Sequence, residues 1–517
     1  MLLLKLESGA REPIYRQIVR QIVDLVESDA LLEGEALPPS RELAERLSVS
    51  RFTVAQAYRE LWAKGYVDSR PGSYTKVRKR PKLAVGREAR ERDESGLDDR
   101  FSAGARALDQ LGSLARFPVD KRGGAELIDF APLALDTRLF PVDAMRTSFD
   151  RVLTKRHATL LNYADPAGYA PLREYIAARM RMHAVEAEAD EVLITHGSLQ
   201  GLDLLARLFV DPGRSVAIEQ PTFSSVMPLF AVRGARIGAV PMGPEGMDLD
   251  ALEALIRERL GRMDEVSLIY SIPTFHNPNG ITTGQPHRER LLALCERYRI
   301  PLAEDSFQEE ITYFGKAVLP LKSMDTHGLV FYLGSFSKVL FPGVRVGWVL
   351  GRRDCIQRLS LLKRVEDISC SPFVQAALHH FCESGAYELH LRRVNRAFAK
   401  RMAVAIEALE RHLPRDLASF DVPSGGYLIW IRLAGLRLSE AELLGRLRSA
   451  GVSAAPGSLF FASPEELRRA AGETGGSAAA GGGEAAARFL RLSISSLDAA
   501  EIEEGIRRLG TALSKLR

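Results

Sequence analysis

Residues 328–348, GLVFYLGSFSKVLFPGVRVGW, contain an apolar run, a small-residue turn and a lysine, Lys338, placed just past the run. Open α/β sheets bind ligands where their strands end. A lysine held in such a site, its ammonium destabilised, becomes a nucleophile toward an aldehyde. Taken alone Ser-x-Ser-Lys is a weak signal, and a lysine there is more commonly a surface charge. Working outward, the same form recurs in EVLITHG (191–197) followed by LQGLDLLARLF (199–209), and in SVAIEQP (215–221). It recurs again in VSLIYSIP (266–273) followed by HRERLLALCERYR (287–299), in IPLAED (300–305) and in RVGWVL (345–350). Apolar runs alternating with amphipathic stretches predict an α/β domain with a mostly parallel sheet.

Four further features stand at the ends of these runs. Asp305 closes IPLAED, and a carboxylate beside a pyridine nitrogen keeps that nitrogen protonated. Asn277 opens the tight turn N-P-N-G, where its amide suits a phenolate oxygen. Gly197-Ser198-Leu199 lies between a strand and a helix, so backbone N–H groups face a phosphate position. Arg345 follows Lys338 by seven residues and suits bidentate contact with the same phosphate. Each has a plainer reading: strand-end caps for Asp305 and Asn277, an N-cap for Ser198, a surface ion pair for Arg345. Their order and shared context argue against coincidence.

The 517 residues suffice for two to four domains. With 46% hydrophobic and 26% charged residues, a wholly disordered or collagen-like chain is excluded. No apolar run approaches the roughly 20 residues that span a bilayer, and the first residues, MLLLKLESGAREPIYRQ, lack a signal-peptide core. Cys295, Cys355, Cys370 and Cys382 show no metal-type spacing. They read as reduced thiols of a cytoplasmic protein that has no metal site and no membrane partner. Charge is unevenly spread. Residues 1–40 hold 4 Lys/Arg and 7 Asp/Glu, whereas residues 41–82 hold 11 and 4, a local excess that suits a polyanion or a solvated surface. Residues 81–125 read as a charged linker with one short helix near Ala103–Leu114. Residues 471–487, with 7 Ala and 6 Gly in 17, read as a loop outside any core.

In residues 10–80, Ile14, Ile18, Ile22, Leu25 and Val26 mark one helical face. Leu37-Pro38-Pro39 breaks it, and Ser40 is expected to cap a helix buried through Leu43, Ala44 and Leu47. Ser50 caps a third helix, buried through Val54, Ala57, Tyr58 and Leu61 and ended by Gly65. A two-stranded hairpin over residues 66–77 follows. This is the pattern of a winged helix-turn-helix, whose second paired helix enters a major groove; a three-helix dimerisation module is the alternative. The wording LPPSRELAERLSVSRFTVAQAYRELWAKGYVDSRPGS closely resembles the GntR-type winged helix. That resemblance implies DNA contacts by Arg41, Ser50, Arg51 and Thr53, with Arg70 and Gly72 in the wing. The wing reads Gly72-Ser73-Tyr74-Thr75 where a second glycine is usual, which puts its minor-groove contact in question.

From about Asp129 onward the chain resembles the fold-type I aminotransferases, which bind pyridoxal 5'-phosphate. The resemblance implies a large subdomain (about 161–400) and a small α+β subdomain (about 401–517 plus 126–160). It implies an internal aldimine on Lys338, Asp305 at the ring nitrogen and Asn277 at the ring oxygen. Ser198, Leu199 through its backbone, Ser335 and Arg345 would hold the phosphate. Phe223 would stack on the ring, Tyr163 would reach the partner subunit's phosphate, and Arg491 would grip a substrate carboxylate. Three departures weigh on catalysis: Phe307 stands where a ring-side tyrosine is usual, Phe223 replaces a stacking tyrosine, and Leu199 replaces a polar residue. Both modules on one chain resemble the MocR (GabR-like) regulators. That family implies a homodimer reading two half-sites of double-stranded DNA. The expected signal is pyridoxal phosphate itself, or an amine or amino-acid effector exchanging at Lys338, with closure of the small subdomain moving the linkers. A working aminotransferase with appended DNA-binding modules, and a scaffold with a cofactor-free core, are the other readings.

Overall fold

The computed structural model describes residues 2–7, 9, 12–68, 74–78, 100–110, 127–314, 318–436, 438–461 and 489–516. They form two compact units, Met1–Asp99 and Arg100–Arg517.

In the first unit the helices are α1 (Ile14–Glu27), α2 (Ser40–Leu47) and α3 (Arg51–Ala63). The strands β1 (Val67–Asp68) and β2 (Lys76–Val77) pair antiparallel, Val67 opposite Val77. Ile18, Ile22, Val54, Ala57 and Leu61 are wholly buried, so the 3.6-residue period seen in the sequence is the core. Ser50 caps α3 as expected: its Oγ accepts from Thr53 N at 3.1 Å, a bond worth about 1 kcal/mol. Ser40 does not cap α2. Pro39 holds the cap position, Ser40 is the first helical residue, and no side chain caps this helix. Proline's fixed φ ends the extended segment one residue earlier than the serine signal implied. Arg70 and Gly72, at the wing tip, lie outside the described residues.

The second unit begins with helix α4 (Ala103–Gln110), which falls inside the expected linker. A Cβ at Gly104 would lie within 3.3 Å of the Val232 backbone, so only glycine lets this helix approach Val226–Val232 so closely. The other strands are β3 (Ile128–Asp129), β4 (Val192–Thr195), β5 (Ser215–Gln220), β6 (Arg236–Gly243), β7 (Gly246–Met247), β8 (Val266–Ser271), β9 (Leu302–Asp305), β10 (Val330–Ser335) and β11 (Gly347–Leu350). Beyond these come β12 (Ala418–Phe420), β13 (Leu428–Leu433), β14 (Val452–Ser453), β15 (Ala455–Pro456) and β16 (Phe489–Ser493).

An eight-stranded sheet has the order β4-β11-β10-β9-β8-β5-β6-β7. From β10 through β6 every pairing is parallel. Strand β11 runs antiparallel between β4 and β10, and β7 antiparallel to β6. The apolar runs singled out in the sequence are these strands, buried on both faces as a helix-covered parallel sheet requires. A smaller antiparallel sheet, β12-β13-β16-β15, belongs to the C-terminal part. The parallel pair β3–β14 stitches residues 128–129 to it. The Ala/Gly stretch 471–487 lies outside the described residues. Among the described residues no helix is long and apolar enough to cross a membrane, and the four cysteines are free and buried.

Candidate functional site

The C-terminal ends of the parallel strands in the large sheet collect the chemistry. Asp305 is the last residue of β9, Lys338 follows β10 by three residues, Phe223 follows β5 by three and Asn277 follows β8 by six. Strand β11 is reversed, so it begins where β4 and β10 end: Gly347 pairs with Thr195 on one side and Ser335 on the other. That reversal brings Arg345 to the end of the strands where helix Ser198–Phe209 starts. Arg345 Nη2 donates to His196 O at 2.6 Å. A Cβ on Gly197 (φ +91°) would lie 3.0 Å from Arg345 Nη2, and one on Gly347 2.8 Å from Ser198 N. The glycines thus let three backbones and a guanidinium converge beside a helix N-terminus, whose first N–H groups lack intrahelical partners. Ser335 is nearly buried, and its Oγ accepts from Ser337 N at 3.2 Å.

Asp305 is buried at the floor. Its Oδ2 accepts from Tyr270 Oη at 2.7 Å, while Oδ1 has no hydrogen-bond partner among the described residues. Burial pushes its carboxyl up to about 6, against the Tyr270 hydroxyl, which favours the charged form. Burial lowers the Lys338 ammonium to about 8, aided by the positive charges of Arg491 and Arg345 and opposed by Asp305. Arg491, on β16, comes from the small sheet. It donates from Nη1 to Asn277 Oδ1 at 3.3 Å and from Nη2 to Ala131 O at 2.5 Å, and its guanidinium lies 4.9 Å from the Phe460 ring centre. Its Nε is buried without a partner among the described residues, and burial lowers its pKa to about 10.

Lys338, Asp305, Asn277, Ser198, Ser335, Arg345 and Arg491 therefore converge. Leu199 shares the helix start but is 41% exposed, and Phe223 is half-buried. Tyr163 is not brought to its own chain's site; it is 80% exposed on a loop. Phe307 is buried and offers no hydroxyl. Two tyrosines escaped the sequence reading. Tyr270 was read only as a strand residue, and the β8–β9 pairing alone sets it beside Asp305. Tyr427 is wholly buried with its hydroxyl unpartnered among the described residues, and its pKa is raised by burial, opposed by Arg491 and reinforced by Asp305. The Gly-Gly-Tyr turn preceding β13 was the available signal. In the other unit Arg41 and Arg51 are exposed on α2 and α3.

A profile described as "Aminotransferase class I and II" matches residues 133–509, and one described as "Bacterial regulatory proteins, gntR family" matches residues 14–77. The chain is 32% identical over 461 residues to "Uncharacterized HTH-type transcriptional regulator YdcR" of Escherichia coli, covering 86% of this chain and 92% of that one. It is 30% identical over 472 residues to "Probable rhizopine catabolism regulatory protein MocR" of Rhizobium meliloti, covering 90% of each. Among solved structures, LysN, an alpha-aminoadipate aminotransferase from Thermus thermophilus complexed with a phosphopyridoxyl-leucine, is similar with a TM-score of 0.68 and 31% identity, covering 81% of this chain and 98% of that one. The fold is that of the pyridoxal-phosphate aminotransferases, and pyridoxal 5'-phosphate is the cofactor it implies. With a GntR winged helix ahead of a class I and II aminotransferase domain, and MocR matched along nine tenths of its length, the chain belongs to the MocR/GabR-like regulators.

Proposed function

We propose that this protein is a cytoplasmic, homodimeric transcription regulator whose aminotransferase-like unit senses pyridoxal phosphate, or an amine or amino acid, and so changes DNA affinity. The observation that carries it is a site whose empty valences fit the cofactor, on a chain that also bears a winged helix. Asp305 Oδ1 is a buried acceptor with no partner among the described residues, as a protonated ring nitrogen needs. The space that a Cβ would fill at Gly197 and Gly347 faces Arg345 and the helix start, which suits a phosphate. When bound, the cofactor supplies an aldehyde that exchanges amines.

The protein's residues do the rest. Lys338 would offer its amine to the aldehyde, Asn277 would donate to the ring oxygen, and Phe223 would cover the ring. Ser198, the Leu199 backbone, Ser335 and Arg345 hold the phosphate, and Arg491 receives a carboxylate. Tyr163 reaches the partner subunit's phosphate. A covered face is supported by the exposed Leu161, Tyr163, Val365 and Ile368, which the Ala164 N to Ser369 Oγ bond (3.4 Å) draws together. Arg41, Ser50, Arg51 and Thr53, with Arg70 and Gly72 of the wing, contact the two half-sites.

The test is a DNA-affinity titration of the cofactor-loaded protein against a panel of amines and amino acids. At least one is expected to shift affinity about 5–150-fold, the usual range of coupling between sites. No shift across the panel, nor on adding cofactor, refutes sensing. The complete set of Lys338, Asp305, Asn277, Arg345 and Arg491 also favours a second reading, an aminotransferase with appended DNA-binding units; sustained turnover of an amino donor with a keto acid would select it.

Two further outcomes are expected. Cofactor loading, followed by visible absorbance, should accelerate about tenfold per pH unit below pH 8 and level off above it, because the neutral amine of Lys338 reacts. A lysine at its ordinary value near 10.4 would keep accelerating. Arg51→Ala should weaken binding to specific and unrelated duplexes alike, and reduce the salt slope by about one. An unchanged slope would remove Arg51 from the phosphate contacts.

A further inference from the structure

Helix α3 presents an aromatic ring that its own core does not take up. Phe52, its second residue, is 68% exposed, whereas Val54, Ala57 and Leu61 on the same helix are wholly buried. The exposed face runs from Phe52 past the half-buried Gln56 to Arg59, the i, i+4, i+7 row of a helix. The Arg59 guanidinium lies 5.7 Å from the centre of the Phe52 ring. Trp62 is also exposed, but ten residues on it is turned about 80° away, so no continuous apolar strip links the two. Arg51 is exposed beside Phe52, and residues 41–82 carry 11 Lys/Arg against 4 Asp/Glu.

An exposed apolar ring beside a guanidinium group, on the helix that a winged helix-turn-helix inserts into a major groove, matches one feature of that groove. Phosphates border it, and the thymine 5-methyl is the apolar group on its floor. We propose that Phe52 is a specificity-determining residue that packs on a thymine methyl while Arg59 steadies the ring. The inference rests on the DNA-binding reading and deepens it.

The experiment uses the full chain loaded with pyridoxal phosphate. A random duplex library is enriched for bound sequences, and the selected site is resynthesised with each thymine replaced in turn by 2'-deoxyuridine. Loss of one methyl is expected to weaken binding by the unsubstituted protein about three- to fivefold at a single thymine of the half-site. Phe52→Ala should bind both duplexes equally, and its own selection should no longer favour that thymine. Phe52→Leu, which keeps an apolar side chain, should retain part of the discrimination. The inference is overturned if no thymine shows methyl dependence, or if Phe52→Ala keeps the same deoxyuridine penalty. Failure of the unsubstituted protein to enrich any sequence would instead bring down the DNA-binding reading, and this inference with it.

Discussion

Lys338→Ala is expected to remove all of the visible absorbance that cofactor addition gives the unsubstituted protein, and with it every change in DNA affinity that amines produce. The side chain stands between a buried carboxylate and two guanidinium groups, and its surroundings disfavour the ammonium enough to bring it to about 8. At neutral pH a useful fraction of its amine is therefore free to react. Alanine removes that amine and the three methylenes that carry it, and none of the phosphate-side groups. Arg345, the glycines around it and the helix start at Ser198 stay in place, so reversible cofactor binding through the phosphate should survive. Absorbance spectra and gel-shift titrations on the same preparation read both effects. If the absorbance disappears while amine-dependent changes in DNA binding persist, the proposed switch is wrong.

Asp305→Asn is expected to act with opposite signs in the two states of the protein. With cofactor, it replaces a buried negative charge that would face a protonated ring nitrogen. Breaking a buried pair costs about 3–5 kcal/mol, which corresponds to an affinity loss of roughly a hundredfold or more. Without cofactor, the same change is expected to stabilise. Burial raises the folded-state pKa of Asp305 to about 6, against an unfolded value of about 3.9. Between these values the folded chain holds a proton that the unfolded chain has released, so stability falls as pH rises from about 4 to about 6. Asparagine removes that dependence. Glu304, which burial raises to about 7, has the same sign but is present in both proteins, so the difference between their melting curves isolates Asp305. The idea fails if cofactor affinity is unchanged, or if the two cofactor-free proteins show parallel pH dependence.

Much of the architecture was legible in the residues because its signals are local. Strands buried on both faces read as unbroken apolar runs, and every run quoted from the large domain is a strand. Asp305, Lys338 and Ser198 could be placed because each stands at a strand end or helix start that the chain itself punctuates. Pairing was not local. Nothing in RVGWVL announces that β11 runs antiparallel between β4 and β10, yet that reversal brings Arg345 beside Gly197. Tyr270 looked like any other strand residue until β8 lay next to β9. Arg491 could be named as a carboxylate ligand only by resemblance, since its bond to Asn277 joins residues 214 positions apart.

Helix α4 has a consequence for the start of the second unit. Because Gly104 lets it seat against Val226–Val232, any side chain at position 104 would push the helix off that backbone and strip the second unit of its first helical contact.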